Sequence, residues 1–275
     1  MFAGLFPHSW TGSTPFHLPL AVELVVYLVI VAVCTAVLAL VFRSNRRAVA
    51  RGRSISRWTT QDILVVAILG VLLEVYDNLI GDQFITPLVQ GVPLAHAFAV
   101  NDVPYMFLLM TGIAIIRKPG AATAMVFLNF LLMQLLYGGS ESSPLFWPYG
   151  LLQGVFIDLY LLSRRGRVFG RSGAPAVVDG LVMGALRAFP ATAAQAAIIS
   201  PLLTGATQTG REILLYSAFN IVGNSLGAGI SSPLALRVAR TVDPGAGFTD
   251  DVDGPSGEPA DRRATGPTAA AGALR

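Results

Sequence analysis

Seven stretches of the chain run apolar for close to the length of a bilayer crossing, at residues 20–42, 61–80, 98–117, 119–137, 147–163, 177–200 and 211–236. A helix needs ~20 predominantly apolar residues to cross hydrocarbon, so the pattern predicts seven membrane helices, with 98–117 the least regular of them. The first run is not expected to be a cleaved signal, because no cation precedes it, it is long, and arginines follow it directly. Between residues 81 and 104 the chain is apolar but broken by Pro87, Pro93 and Pro104. Backbone at membrane depth must satisfy its hydrogen bonds within the protein, which predicts a partly re-entrant loop or short helix covering the outer end of the bundle. From residue 241 onward Gly, Pro and Asp replace apolar periodicity, as expected of a disordered tail.

Composition agrees with a membrane protein. Hydrophobic residues make up 53% of the 275 and charged residues 13%, and mean hydropathy is +0.63, too apolar for a wetted surface. The net charge of +3 does not point to nucleic acid, since the arginines sit at the ends of apolar runs rather than in an aromatic-interleaved patch. Cys34 is the sole cysteine and lies in an apolar run, so no disulfide forms within the chain. His8, His17 and His96 lack metal-ligand spacing, and neither a metal site nor a cofactor is expected.

Fourteen of the nineteen Lys and Arg residues fall on alternate loops: Arg43 to Arg57, Arg117 with Lys118, Arg164 to Arg171, and Arg237 with Arg240. Asp82, Asp102 and Glu141 mark the opposite face. The positive-inside rule then predicts a multi-pass protein of the cell membrane with its N-terminus outside and its C-terminus cytoplasmic. In "IIRKPGAA", residues 115–122, the two cations end a helix at the cytoplasmic interface and Pro119-Gly120 turns the chain into the next.

The sequences "RWTTQDILVVAILGV" at 57–71, "RKPGAA" at 117–122 and "YGLLQG" at 149–154 occur in this order, and together they resemble the substrate-binding (S) component of energy-coupling-factor (ECF) ABC transporters, specifically the YkoE-type branch associated with thiamine and hydroxymethylpyrimidine. The resemblance covers roughly residues 57–165. It implies an all-α fold, a six-helix S-component-like bundle, which residues 58–240 supply; the extra transmembrane helix with its basic linker in 1–57 is an addition to that pattern, and 241–275 is the tail. It also implies partners, namely a transmembrane scaffold subunit and two cytoplasmic ATPases, because this chain has no G-x-x-x-x-G-K-[ST] phosphate loop of its own. No G-x-S-x-G elbow or H-E-x-x-H helix is present, and no enzyme activity is expected.

Polar groups inside membrane helices are costly and tend to face a cavity. Glu74, Asp77, Asn78 and Gly81 share one helix face and form either a first binding cluster or a polar cap at the interface. Asn129 sits near mid-span of its helix, where the resembling family would carry glutamates; here Val126, Asn129 and Met133 stand instead, which favours a neutral heterocycle over a cationic thiazolium. Trp147 and Tyr149 belong to an interfacial belt or stack a planar ligand. Gln153, in the stripe Tyr149, Gln153, Phe156, Tyr160, is the first choice for a ligand contact. Asp158 and Arg187 lie at similar depth and are expected either to pair or to anchor a ligand. Tyr216, Asn220 and Asn224 recur every fourth residue beside Gly223 and Gly227, serving a cavity or interhelical hydrogen bonds. Ala67 and Gly70 are small residues of the kind through which S components dock on the scaffold. The expected function is capture of a small heterocyclic vitamin or precursor from outside, with hydroxymethylpyrimidine or thiamine first; the alternative is a non-transporting structural or assembly subunit of the same fold.

Overall fold

The computed structural model describes residues 12–50, 57–90, 94–136, 143–165, 167–169 and 174–242, with Trp10 and Val92. The chain is an all-α membrane protein. Its elements are α1 (Leu20–Ala50), α2 (Thr60–Glu74), α3 (Val103–Ile116), α4 (Ala121–Leu136), α5 (Trp147–Ser163), α6 (Ala174–Ala194) and α7 (Gly210–Val242). Among the described residues five helical stretches are long and apolar enough to cross a membrane, and two shorter apolar ones contain α3 and α4. The expected tail lies, from residue 243 on, outside the described residues, as do His8 and Glu141.

Two helices change their winding. Beyond Glu74, α2 continues as a π-helix over Val75–Ile85 and one α-turn at Thr86–Gln90. Similarly, α6 passes Pro190 and becomes π-helical over Gln195–Ile199 before Ser200–Thr204. Proline removes one backbone bond and disturbs the helix around it, and π-turns inside α-helices are frequent at functional sites. The stretch expected to re-enter the membrane is thus helical to Gln90, and then turns through residues 94–102 into α3.

The turn at 117–120 ties three helices together. Arg117 closes α3 in the left-handed conformation, its N–H donating to Ile113 O, and Gly120 has φ +101, a conformation that favours glycine. Lys118 Nζ lies 2.5 Å from Asp62 Oδ2 and donates to Arg57 O. Asp62 is itself held in a capping box with Thr59 at the start of α2. From α1, Asn45 donates to Pro119 O at 3.1 Å. The two cations are therefore built into a packed corner as well as marking topology.

Close helix approaches rest on glycine. A Cβ at Gly154 in α5 would collide with the Thr123 backbone of α4, and one at Gly184 in α6 would lie 2.8 Å from Ser225 Cα of α7. Gly223 faces the carbonyl of Phe98, and Gly227 lies near Val103, so this strip of α7 packs on the 94–102 loop and α3. Of the two residues expected to dock on a scaffold, Ala67 is exposed, whereas Gly70 is buried against Leu128 of α4, where a Cβ would meet Leu128 Cδ2 at 2.7 Å. The largest core cluster, with Leu73, Met106, Leu109, Ile113, Met125 and Ile157, lies among α2 to α5 and reaches α6 and α7 through Met183 and Ala235.

Candidate functional site

A cavity of about 320 Å³ opens among the helices at the end of the bundle opposite the 117–120 turn. That volume lies at the small end of the range for ligand pockets, and admits one small ring system rather than a peptide. The π-helical part of α2 supplies Asp77, Asn78 and Asp82, with Thr86 from the turn after it. His96, Ala99, Asn101 and Asp102 enter from the loop. The far wall carries Asn129, Phe130 and Met133 of α4 with Tyr149 and Gln153 of α5; α6 adds Arg187, Thr192 and Gln195, and α7 adds Tyr216 and Asn220. Both π-helical segments therefore contribute polar side chains to this one space.

Behind one wall lies Glu74, 2% exposed. Its Oε1 accepts from Asn78 Nδ2 at 2.8 Å and its Oε2 from Asn129 Nδ2 at 2.9 Å. One carboxylate thus fixes two amides that reach the cavity from different helices.

On the other side, Arg187 Nη1 donates to Asp102 Oδ2 at 3.0 Å and to Asn224 Oδ1. Its guanidinium lies 4.3 Å from the centre of the Tyr105 ring, a cation–π arrangement. Asn224 Nδ2 in turn donates to Asn220 Oδ1 at 3.0 Å. His96 Nδ1, Asn101 Oδ1 and Arg187 Nε are buried and make no hydrogen bond among the described residues. Buried polar atoms are normally paired; with Thr86 Oγ1, which is also unpaired among the described residues, four such atoms sit on residues lining this one cavity.

Of the residues chosen from sequence, Asp77, Asn78, Asn129, Tyr149, Gln153 and Asn220 line the cavity. Glu74 and Asn224 stand one layer behind it, each bonded to a lining residue. Trp147 lies away from it: 40% exposed, it donates to Gln134 Oε1 at 2.6 Å and meets Phe127 edge-on. Asp158 is fully buried but faces α4, accepting from the backbone N–H of Ala122 at 3.2 Å and of Thr123 at 2.8 Å. It acts as a cap on the start of α4, supplied from α5.

The expected Asp158–Arg187 pair therefore does not form, because Asp158 is used by the α4 N–H groups while Arg187 turns to Asp102 and Asn224. Tyr160, at the end of the proposed stripe, donates to Asp179 instead. Asp82, Thr86, His96, Asn101, Asp102, Thr192 and Gln195 were not expected at the site. For three of them the sequence held a signal: the Asn101–Asp102 pair within an interrupted apolar stretch, and the i, i+5 spacing of Asp82 from Asp77.

No curated protein and no solved structure matches the chain. Residues 61–185, which run from α2 into α6 and make up less than half of the chain, match the family described as ABC-type cobalt transport system, permease component, and the match supports a membrane component of an ABC-type transporter.

Proposed function

We propose that this protein is the substrate-capture subunit of an ECF-type ABC importer, taking a small heterocyclic vitamin or vitamin precursor from outside the cell. Hydroxymethylpyrimidine and thiamine are the first ligands to try. The observation that carries the reading is the polar cavity of about 320 Å³ set among membrane helices at the end opposite the cation-rich turn. Polar and charged groups at such depth are costly unless they serve a ligand or one another. In this reading the N-terminus lies outside, the C-terminus lies in the cytoplasm and the cavity opens outward. A scaffold subunit and two ATPases supply the energy, and the exposed α2 surface around Ala67 faces the scaffold. Residues 58–240 form the substrate-binding core and α1 is the added helix, resting on α5 through Tyr27, whose hydroxyl donates to Leu145 O at the entrance to that helix.

The matched family's description names cobalt. Among the described residues no group of three or more His, Cys, Asp and Glu side chains is arranged to hold a metal ion, and Co2+ is therefore tested beside the organic compounds. The test is thermal unfolding of the purified protein in detergent with thiamine, hydroxymethylpyrimidine or Co2+. A concentration-dependent rise in melting temperature with either organic compound supports the reading; a rise with Co2+ alone replaces it with metal capture, and no rise with any of them removes the ligand claim.

A further inference from the structure

We infer that Glu74 is a specificity-determining residue that makes the cavity wall an acceptor surface, so that the site selects a ligand presenting N–H donors, such as an amino-substituted nitrogen heterocycle. This rests on the ligand-binding reading above and narrows its substrate class. A carboxylate can only accept hydrogen bonds, whereas an Asn amide donates through its nitrogen and accepts through its oxygen. With both Nδ2 groups engaged by Glu74, at 2.8 Å from Asn78 and 2.9 Å from Asn129, each amide has one orientation left. Neither Oδ1 accepts a bond among the described residues, and both residues line the cavity, so the atoms they offer to a ligand are acceptors.

Other acceptors in the lining point the same way, set against the donor Arg187 Nε, which is unpaired among the described residues. Asn101 Oδ1 is a buried acceptor without a donor, and Asp77 and Asp82 add carboxylates to the same space. Arg187 is the cationic counterpart there, and Asp102 and Asn224 hold it. Glutamates are missing from the face of α4, but carboxylates arrive from the π-helical part of α2 and from the loop. A donor-rich ligand, neutral or cationic, matches this wall; an acceptor-rich or anionic one would meet lone pairs and negative charge.

The test pairs two ligands with three proteins. Calorimetry is run with hydroxymethylpyrimidine, whose ring carries an exocyclic amine, and with the analogue in which that amine is replaced by an oxo group. The parent protein is expected to prefer the amine by at least about tenfold, since a mismatched buried acceptor goes unpaired. In Glu74→Gln the side-chain amide can face either way: its oxygen still accepts from one Asn Nδ2 while its NH2 meets the other amide's Oδ1, so one of the two asparagines turns a donor toward the cavity. The variant should keep its fold and lose most of the preference, while Glu74→Asp, which keeps a carboxylate, should retain part of it. A parent that binds both compounds equally, or a Glu74→Gln variant that keeps the full preference, overturns the inference while leaving vitamin capture standing. A parent that binds neither overturns this inference, and one that also fails to bind thiamine overturns the vitamin reading with it.

Discussion

Arg187 of α6 and Asp102, at the threshold of α3, form an ion pair with Nη1 and Oδ2 3.0 Å apart. Their side chains are 10% and 21% exposed, so the pair is largely withdrawn from water. It ties the loop over the cavity to the helix on its far side, and Asn224 on α7 shares the same nitrogen. Three elements that are distant in sequence thus converge on one guanidinium.

Removing that guanidinium strands its acceptors. Arg187→Ala is expected to lower the unfolding free energy by about 3 kcal/mol, as for other half-broken buried pairs. Adding Asp102→Ala to the same chain should recover part of the loss, because no unpaired carboxylate is then left behind. Chemical denaturation in detergent measures both, and strictly additive losses would mean the two residues are not coupled.

Asp158 is expected to matter for stability and not for ligand. In Asp158→Asn one oxygen still accepts, but the new NH2 group faces an N–H donor of Ala122 or Thr123. A loss of about 1–3 kcal/mol is expected, with ligand affinity unchanged within twofold by calorimetry. Neighbouring Gly154→Ala presses a methyl on the Thr123 backbone and should cost about 1–3 kcal/mol as well. The two sites share one helix contact, so their combination should depart from additivity.

The loop over the cavity is seated on α7. Phe98 packs edge-on against Phe219 with ring centres 4.6 Å apart, and its carbonyl meets Gly223 where no Cβ would fit. Ala97 beneath is fully buried. A cysteine introduced as Ala97→Cys should therefore react slowly with a maleimide, the native Cys34 being buried and silent. In a Gly223→Ala background the reaction should be at least about tenfold faster, since the protecting contact is a local one. Equal rates would mean that this contact does not hold the loop.

Much of this architecture could be read from the chain. The apolar runs correspond to the seven helices because hydrocarbon length sets helix length, and Pro119-Gly120 marks the turn into α4 because few other residues reverse a chain so tightly. Asn129 and Gln153 stood out as amides within apolar helices, where an idle amide would be costly. Partners were much less legible. Depth along a helix says nothing about which neighbour a side chain faces, so Asp158 and Arg187 looked like a pair although one turns to α4 and the other to the 94–102 loop. The face drawn through Glu74, Asp77 and Asn78 assumed regular α-winding; the π-helical turns from Val75 onward rotate Asp82 into the cavity. The sites of helix widening depend on tertiary packing, and no pattern of polar and apolar residues announces them.

The most direct test of ligand capture is equilibrium binding by calorimetry of the purified full chain with hydroxymethylpyrimidine and thiamine. Saturable binding of at least one, weakened more than about tenfold by Gln153→Ala and by Asn129→Ala as expected for buried hydrogen bonds, is the predicted result. No binding of either compound by a folded protein, or binding that both substitutions leave unchanged, would contradict the account.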